Sequence, residues 1–428
     1  MTNDALWQRR KNALSPTYAH FYDEPLNVVK GDGVWLYDET GSKYLDCYNN
    51  VVSVGHCNPT VVKALCDQAS TLNTHTRYIH ENVVVLAEKL AAKFPEKLDT
   101  CIFVCTGTEA NDLALQMARC VSGNKGVIVT DAAYHGNSTV IGAMDQRRKN
   151  FGQFDWLETF EPPNTYRGPH AGKDEGEMAS LYASEVDKAI AKLAGKGISL
   201  AAAMLDLSFD SNGILIPPGD YANLVADKVR AAGGLVICDE VQAGYCRLGE
   251  YWWGLERYGV MPDIVTIGKP MGAGHPVAAI VTTREIARKF SEIDRYFNTF
   301  GGNPVSAAVA AAVIDEIDDR KLLENATDVG TYLQAGLEKL AGKYSFIGNI
   351  QGAGLFWGLD LVSDPVSKTP MSDRELRHIT TLLKDEGVLM GYTGRYNNCL
   401  KIRPPLIFSK ENADQALSAM DRVFRTLG

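Results

Sequence analysis

Two spacings of apolar residues alternate along most of this chain. From about residue 60, stretches such as PTVVKALCDQASTL and NVVVLAEKLAAKF carry apolar positions at the interval of an amphipathic helix. Between such stretches stand short runs rich in β-branched residues: CIFVCT, KGVIVT, AAAMLDLS, GLVICDE, DIVTIGK and VAAIVTT. Short buried runs alternating with helices predict an α/β fold built on a mostly parallel sheet with helices on both faces. Ahead of this region, NVVKGDGVWLYDETGSKYLDCYN alternates apolar and polar positions between glycine turns, which predicts a small antiparallel meander. Beyond AAVAAAVIDEI the texture changes again, with GAGLFWGLDLV and CLKIRPPLIF as expected strands of a smaller α+β unit. The expected organisation is a large α/β domain over 59–315 and a small domain made jointly by 1–58 and 316–428.

Composition narrows the class. A length of 428 residues suits one large and one small domain better than a single simple core. The net charge of −9 argues against a nucleic-acid partner held by counterion release and against docking on an anionic membrane. Nine cysteines, an odd number with no CxxC pair, read as reduced thiols. With no apolar leader and no run of transmembrane length, a cytoplasmic location is expected. His56, His75, His80, His135 and His275 have no metal-ligand spacing, so no metal is expected.

In open α/β sheets, ligands gather beyond the carboxyl ends of the strands, so the polar residues that end the apolar runs are the candidates. After CIFVC comes TGTEANDLALQMAR, where Gly107 and Thr108 open a helix. That start can cradle an anion on unpaired amides, or it can be an ordinary N-cap with Glu109 complementing the dipole. The run VIVT leads to Tyr134, His135 and Gly136, where an aromatic ring can stack on a flat ligand or simply pack. GGLVICDEVQAGYCRLG drives a buried strand into Asp239, with Gln242 three residues on. A buried carboxylate needs a cationic partner, either an arginine or a ligand's pyridinium nitrogen. Adjacent Glu240 points to the other face, as neighbouring strand residues do. DIVTIGKPMGAGHP ends another strand at Lys269, an amine in an apolar setting suited to covalent catalysis. Together these suit pyridoxal 5'-phosphate, whose aldehyde needs an amine, whose ring nitrogen needs a carboxylate and whose phosphate needs a helix start.

With these segments, and with GHCNP, AYHGNS and FNTFGGNPVSAA, the chain resembles the class III aminotransferase family of fold-type I pyridoxal-phosphate enzymes, over nearly its whole length. The resemblance implies that fold, with a seven-stranded, mostly parallel sheet. It implies Lys269 as the Schiff-base lysine and proton shuttle, Asp239 on the pyridinium nitrogen and Gln242 on the ring 3-hydroxyl. It implies Tyr134 on the ring face, next to His135, and Gly107 and Thr108 on the phosphate. Thr299 of FNTFGG would reach the cofactor phosphate of a neighbouring subunit, so a homodimer with shared active sites is expected.

Departures from the family pattern bear on the reaction. Where many members carry an arginine that grips a substrate carboxylate, LKIRPPL has Lys401, with Arg403 two residues on. Lysine is a poor substitute for a bidentate fork and a good point charge for phosphate. NTHTRYIH places Arg77 in a segment that lines the active-site mouth in the family, and Asp206 of MLDLSFDSNG stands where a gating glutamate is common. These features resemble the family's phospho-lyase branch. The expected substrate is a small phosphorylated amine such as O-phosphoethanolamine, cleaved to aldehyde, ammonia and phosphate; the alternative is an ω-type aminotransferase working on an amine and a keto acid or aldehyde. Arg77, Lys401 and Arg403 are the candidates for the substrate phosphate, with structural salt bridges or solvated surface as their other reading.

Overall fold

The computed structural model describes residues 3–147 and 154–427. Its central sheet has seven strands: β1 (Thr100–Val104), β2 (Gly126–Thr130), β3 (Leu157–Phe160), β4 (Leu200–Asp206), β5 (Leu235–Asp239), β6 (Ile264–Ile267) and β7 (Ala278–Thr282). Across the sheet they lie in the order β1, β7, β6, β5, β4, β2, β3. β7 runs antiparallel to both its neighbours, and the other ladders are parallel. Every residue of β2, β4, β6 and β7 is buried. Helices covering both faces of the sheet impose that, which is why these strands read as unbroken apolar runs rather than as alternations.

Six of the seven strands are the runs that the apolar pattern singles out. The seventh, β3, has the sequence LETF and pairs only with β2. A four-residue edge strand holding Glu158 and Thr159 carries too little apolar signal to stand out. The helix Gly107–Ser122 lies on the sheet through Leu113, Met117 and other buried residues of one face.

The meander Val28–Asp32, Trp35–Asp38 and Lys43–Asp46 forms as the alternation predicts, and its last strand pairs in parallel with Val388–Leu389. A second small sheet joins Ile347–Ala353, Phe356–Asp364, Cys399–Ile402 and Gly391–Thr393. Among the described residues no helix is long and apolar enough to cross a membrane.

Register does the work of assembling the site. Asp206 pairs with Asp239 across β4 and β5, and Asp239 pairs with Thr266 across β5 and β6. Three polar side chains therefore come level at the carboxyl edge of the sheet. From the small sheet, Lys401 stands opposite Gly358 on one neighbouring strand and Gly391 on the other. A β-carbon on Gly391 would lie 2.5 Å from the Tyr48 ring, so the missing side chain leaves that space to the tyrosine.

Candidate active site

The helix that follows β1 is capped by Thr106, whose hydroxyl accepts the Glu109 amide at 3.1 Å, while a Glu109 carboxylate oxygen accepts the Cys105 amide at 2.7 Å. The cap thus precedes Gly107 and Thr108, whose amides have no partner among the described residues and project from the positive end of a 16-residue helix. Thr108 Oγ1 bonds instead with the Asn137 side chain at 3.1 Å and accepts the Asn137 amide at 3.3 Å. The loop that crosses here passes through Gly136 at φ +145°, and a β-carbon there would sit 2.7 Å from Thr108 Oγ1. Only glycine lets the two segments approach so closely. Tyr134, two residues earlier, is exposed.

At the end of β5, Asp239 is buried and its two oxygens are unequally used. Oδ2 takes a hydrogen bond from Asn111 at 2.8 Å and pairs with His135 Nδ1 at 2.8 Å; among the described residues Oδ1 accepts only the Val241 amide, at 3.0 Å. The Asn111 amide is fixed in turn by Thr266, whose hydroxyl donates to Asn111 Oδ1 at 2.6 Å, and by the His135 carbonyl, which accepts from Asn111 Nδ2 at 2.7 Å. Oδ1 is therefore the oxygen with a lone pair to spare. His135 is itself buried, and its Nε2 has no partner among the described residues. Glu240 faces the other way, where its carboxylate accepts the amides of Gly254 at 2.9 Å and Leu255 at 2.7 Å.

Lys269 opens the short turn that follows β6. No hydrogen bond holds its ammonium among the described residues. Burial, and then the positive charge of Arg403, push that ammonium below the usual lysine range, against the pull of Asp210, Asp239 and Asp206. The result is an amine that gives up its proton more readily than a surface lysine does.

A second cluster lies beside the first. Asp210 pairs with Lys401 Nζ at 3.1 Å and with Arg403 Nη1 at 3.8 Å, all three side chains being buried. Gln242 links the cluster: its Nε2 donates to Asp210 at 2.8 Å, and its Oε1 accepts from Asn50 at 2.9 Å and from Arg403. Tyr48 lies beneath both cations, 5.1 Å from the Arg403 guanidinium and 5.5 Å from Lys401 Nζ. Arg403 Nε also donates to the Tyr48 carbonyl at 3.2 Å. The loop bearing Tyr48 and Asn50 is pinned by Asp46, which accepts the amides of Tyr48 and Asn49 and pairs with His56. Burial would raise the Asp210 carboxyl, but Lys401 and Arg403 overcome it and hold it below the ordinary range. Burial, then Arg403, push Lys401 down to about 8, although Asp210 pulls it back up.

The carboxylate that meets these cations is Asp210. Asp206 accepts the Ser208 amide at 2.9 Å, the Ser208 hydroxyl at 2.6 Å and the Asp210 amide at 3.0 Å. It folds the turn that, through Phe209 at φ +45°, swings Asp210 into the small sheet. Burial and the neighbouring Asp239 push the Asp206 carboxyl up to about 6. Arg77, for its part, joins neither cluster within the chain. It is exposed, with its guanidinium 4.0 Å from the Phe297 ring, on the same surface as exposed Thr299. Tyr48, Asn50, Asn111 and Asp210 belong to the two clusters and are not picked out by the apolar pattern, because none of them ends a strand run.

The fold is that of type I pyridoxal-phosphate enzymes: a seven-stranded, mostly parallel sheet flanked by helices and joined by smaller sheets. Within that fold the chain belongs to the class III aminotransferase family, described as Aminotransferase class-III, which it matches over residues 17–424. An alanine–glyoxylate aminotransferase 2-like protein of Drosophila melanogaster is 40% identical over 93% of this chain and 82% of its own length. Ethanolamine-phosphate phospho-lyase homolog 1 of Caenorhabditis elegans is 37% identical over 99% of this chain and 93% of its own. Among solved structures, a phospholyase from Arthrobacter in complex with phosphoethanolamine superposes with a TM-score of 0.93 at 39% identity, covering 99% of this chain and 100% of that one.

Proposed function

We propose that this protein is a pyridoxal-phosphate-dependent phospho-lyase that removes phosphate from a small phosphorylated primary amine such as O-phosphoethanolamine, giving an aldehyde, ammonia and inorganic phosphate. The observation that carries this reading is the buried Lys401–Arg403 pair beside Lys269, with lysine where a carboxylate-gripping arginine is common. Two adjacent cations suit a dianionic phosphate, and a lone lysine is a poor fork for a carboxylate. The 39% identity to a phospholyase that was captured with phosphoethanolamine supports it.

The residues present fit the family's cofactor. The spare lone pair of Asp239 Oδ1 meets the need of a protonated ring nitrogen, the unpaired amides of Gly107 and Thr108 that of a phosphate, and the unbonded Lys269 amine that of an aldehyde. Tyr134 is free to cover the ring, and Gln242 keeps one amide hydrogen beyond its bond to Asp210 for the ring hydroxyl. When bound, pyridoxal 5'-phosphate supplies an electron sink that makes the amine-bearing carbon acidic. Lys269 takes the proton from that carbon, and Lys401 and Arg403 hold the phosphate that departs from its neighbour.

A second reading, amino-group transfer to a keto acid or aldehyde, draws on the 40% identity to the aminotransferase 2-like protein. One assay separates the two. Purified holoenzyme given O-phosphoethanolamine and no keto acid is expected to release one phosphate per aldehyde formed. Amine consumption only when pyruvate is added, with no free phosphate, would put the aminotransferase in its place.

The proposed assembly is a homodimer with Thr299 directed at the neighbour's cofactor phosphate. Ile79 at 99% exposure, Phe300 at 69% and Tyr78 at 66% lie on the two segments around Arg77 and Thr299, and exposed apolar side chains of this kind suit a contact with a second copy. Light scattering on the purified protein is expected to return twice the chain mass; a monomer that is fully active would remove the shared site. A cytoplasmic location remains part of the proposal, supported by nine cysteines that are all free thiols.

A further inference from the structure

A phosphate ester is a reluctant leaving group. A phosphomonoester carries close to two negative charges at neutral pH, so breaking its carbon–oxygen bond without a proton would expel a trianion. Electrostatic contact with cations eases that charge but does not replace the proton. Something in the site must deliver one to the oxygen that leaves.

We propose that Lys401 is the general acid of the elimination, handing its Nζ proton to the bridging oxygen of the departing phosphate. This rests on the phospho-lyase reading above. Geometry singles Lys401 out. Its neighbour Arg403 is a guanidinium that stays charged. Tyr48 lies beneath the pair, and its phenol is pushed up by burial, away from neutrality. Lys401 alone combines burial, a place in the cation pair and an ordinary ability to lose a proton. The groups that face it are Asp210 from the turn after β4, Cys399 from its own strand and Arg403 just beyond it, Tyr48 from the N-terminal loop and Lys269 from the turn after β6. Asp210, at 3.1 Å, is the anion that keeps the proton on Lys401 before substrate arrives. Burial and Arg403 lower its hold on that proton to about 8, close to the working pH, where a general acid is most effective.

The step balances. The proton on the amine-bearing carbon goes to Lys269 Nζ, and the electron pair it leaves becomes the new carbon–carbon π bond. The carbon–oxygen pair passes to the phosphate oxygen, which takes the Lys401 proton and departs as hydrogen phosphate. Lys401 is left neutral beside Asp210 and is reprotonated from solvent before the next turnover.

The test compares two esters of ethanolamine that differ in their need for a proton: O-phosphoethanolamine and O-sulfoethanolamine, whose sulfate leaves as a weakly basic anion. With wild-type holoenzyme, kcat for the phosphate ester is expected to fall as pH rises past the Lys401 ionisation, while the sulfate ester lacks that limb. Lys401→Arg keeps the charge and loses the transferable proton. It is expected to cost about 100-fold or more in kcat for the phosphate ester and less than about 10-fold for the sulfate ester. Asp210→Asn removes the anion that retains the proton and is expected to move the basic limb to lower pH. A measurement without turnover stands beside these: calorimetric titration of holoenzyme with inorganic phosphate near pH 8, in buffers of different ionisation enthalpy, is expected to show proton uptake in wild type and none in Lys401→Arg. Equal losses for both esters in Lys401→Arg, or no proton uptake in wild type, would overturn the general acid and leave Lys401 an anion-binding group. Failure of the wild type to eliminate either ester would instead overturn the phospho-lyase reading.

Discussion

Replacing Lys269 with alanine is expected to lower kcat by at least ~10⁴-fold while leaving a folded protein that still takes up cofactor reversibly. Both halves of that expectation come from its surroundings. The amine stands beside two clusters of charged groups without a hydrogen bond to any, so truncating it strands no partner. A half-buried lysine with no hydrogen bond among the described residues favours its neutral form and adds little to the stability of the fold. The direct check is mass spectrometry after borohydride reduction. Wild-type protein should gain the mass of the reduced cofactor, and Lys269→Ala should not. A variant that turned over at the wild-type rate would end the covalent account of this site, whatever the ester or acceptor supplied.

Substitution of Asp239 by asparagine is expected to cost about 10²–10³ in kcat, roughly 3–4 kcal/mol of electrostatic stabilisation, with substrate binding much less affected. The size follows from how completely the carboxylate is built in. His135, Asn111 and the Val241 amide occupy three of its acceptor positions, and Thr266 orients Asn111 behind it. An asparagine keeps the shape but presents an N–H₂ on one side. That group must face either the existing donors or the ring nitrogen, and either contact is unfavourable. The absorbance of the bound cofactor and its rate of loss on dilution report the ring contact independently of turnover. Wild-type kcat with unchanged absorbance in Asp239→Asn would show that no cation meets this carboxylate.

Much of the architecture is written locally. A strand covered on both faces has to be apolar throughout, so β2, β4, β6 and β7 announce themselves in any window that contains them. Their polar terminators announce the ligand edge for the same reason, since an open α/β sheet places its ligands there. Asp239, Lys269, Gly107 and Thr108 stand out as candidates from that logic before any coordinate is known. The edge strand β3 is not, because four residues with two polar ones have no period to read.

What the sequence by itself determined is therefore the sheet, the residues at its carboxyl edge and the kind of cofactor they suit. The cation cluster is a different matter. Asp210 meets Lys401 across 191 positions of chain, and Asn50 meets Gln242 across 192. Nothing local distinguishes Asp206 from Asp210 as the partner of those cations. The choice is made by a turn that spends the Asp206 carboxylate on three hydrogen bonds of its own and leaves Asp210 pointing at the small sheet. Whether Lys401 is a solvated surface lysine or a buried member of the cation cluster is likewise decided only by packing, because desolvation and the charge of a neighbour belong to the assembled site and not to any stretch of residues.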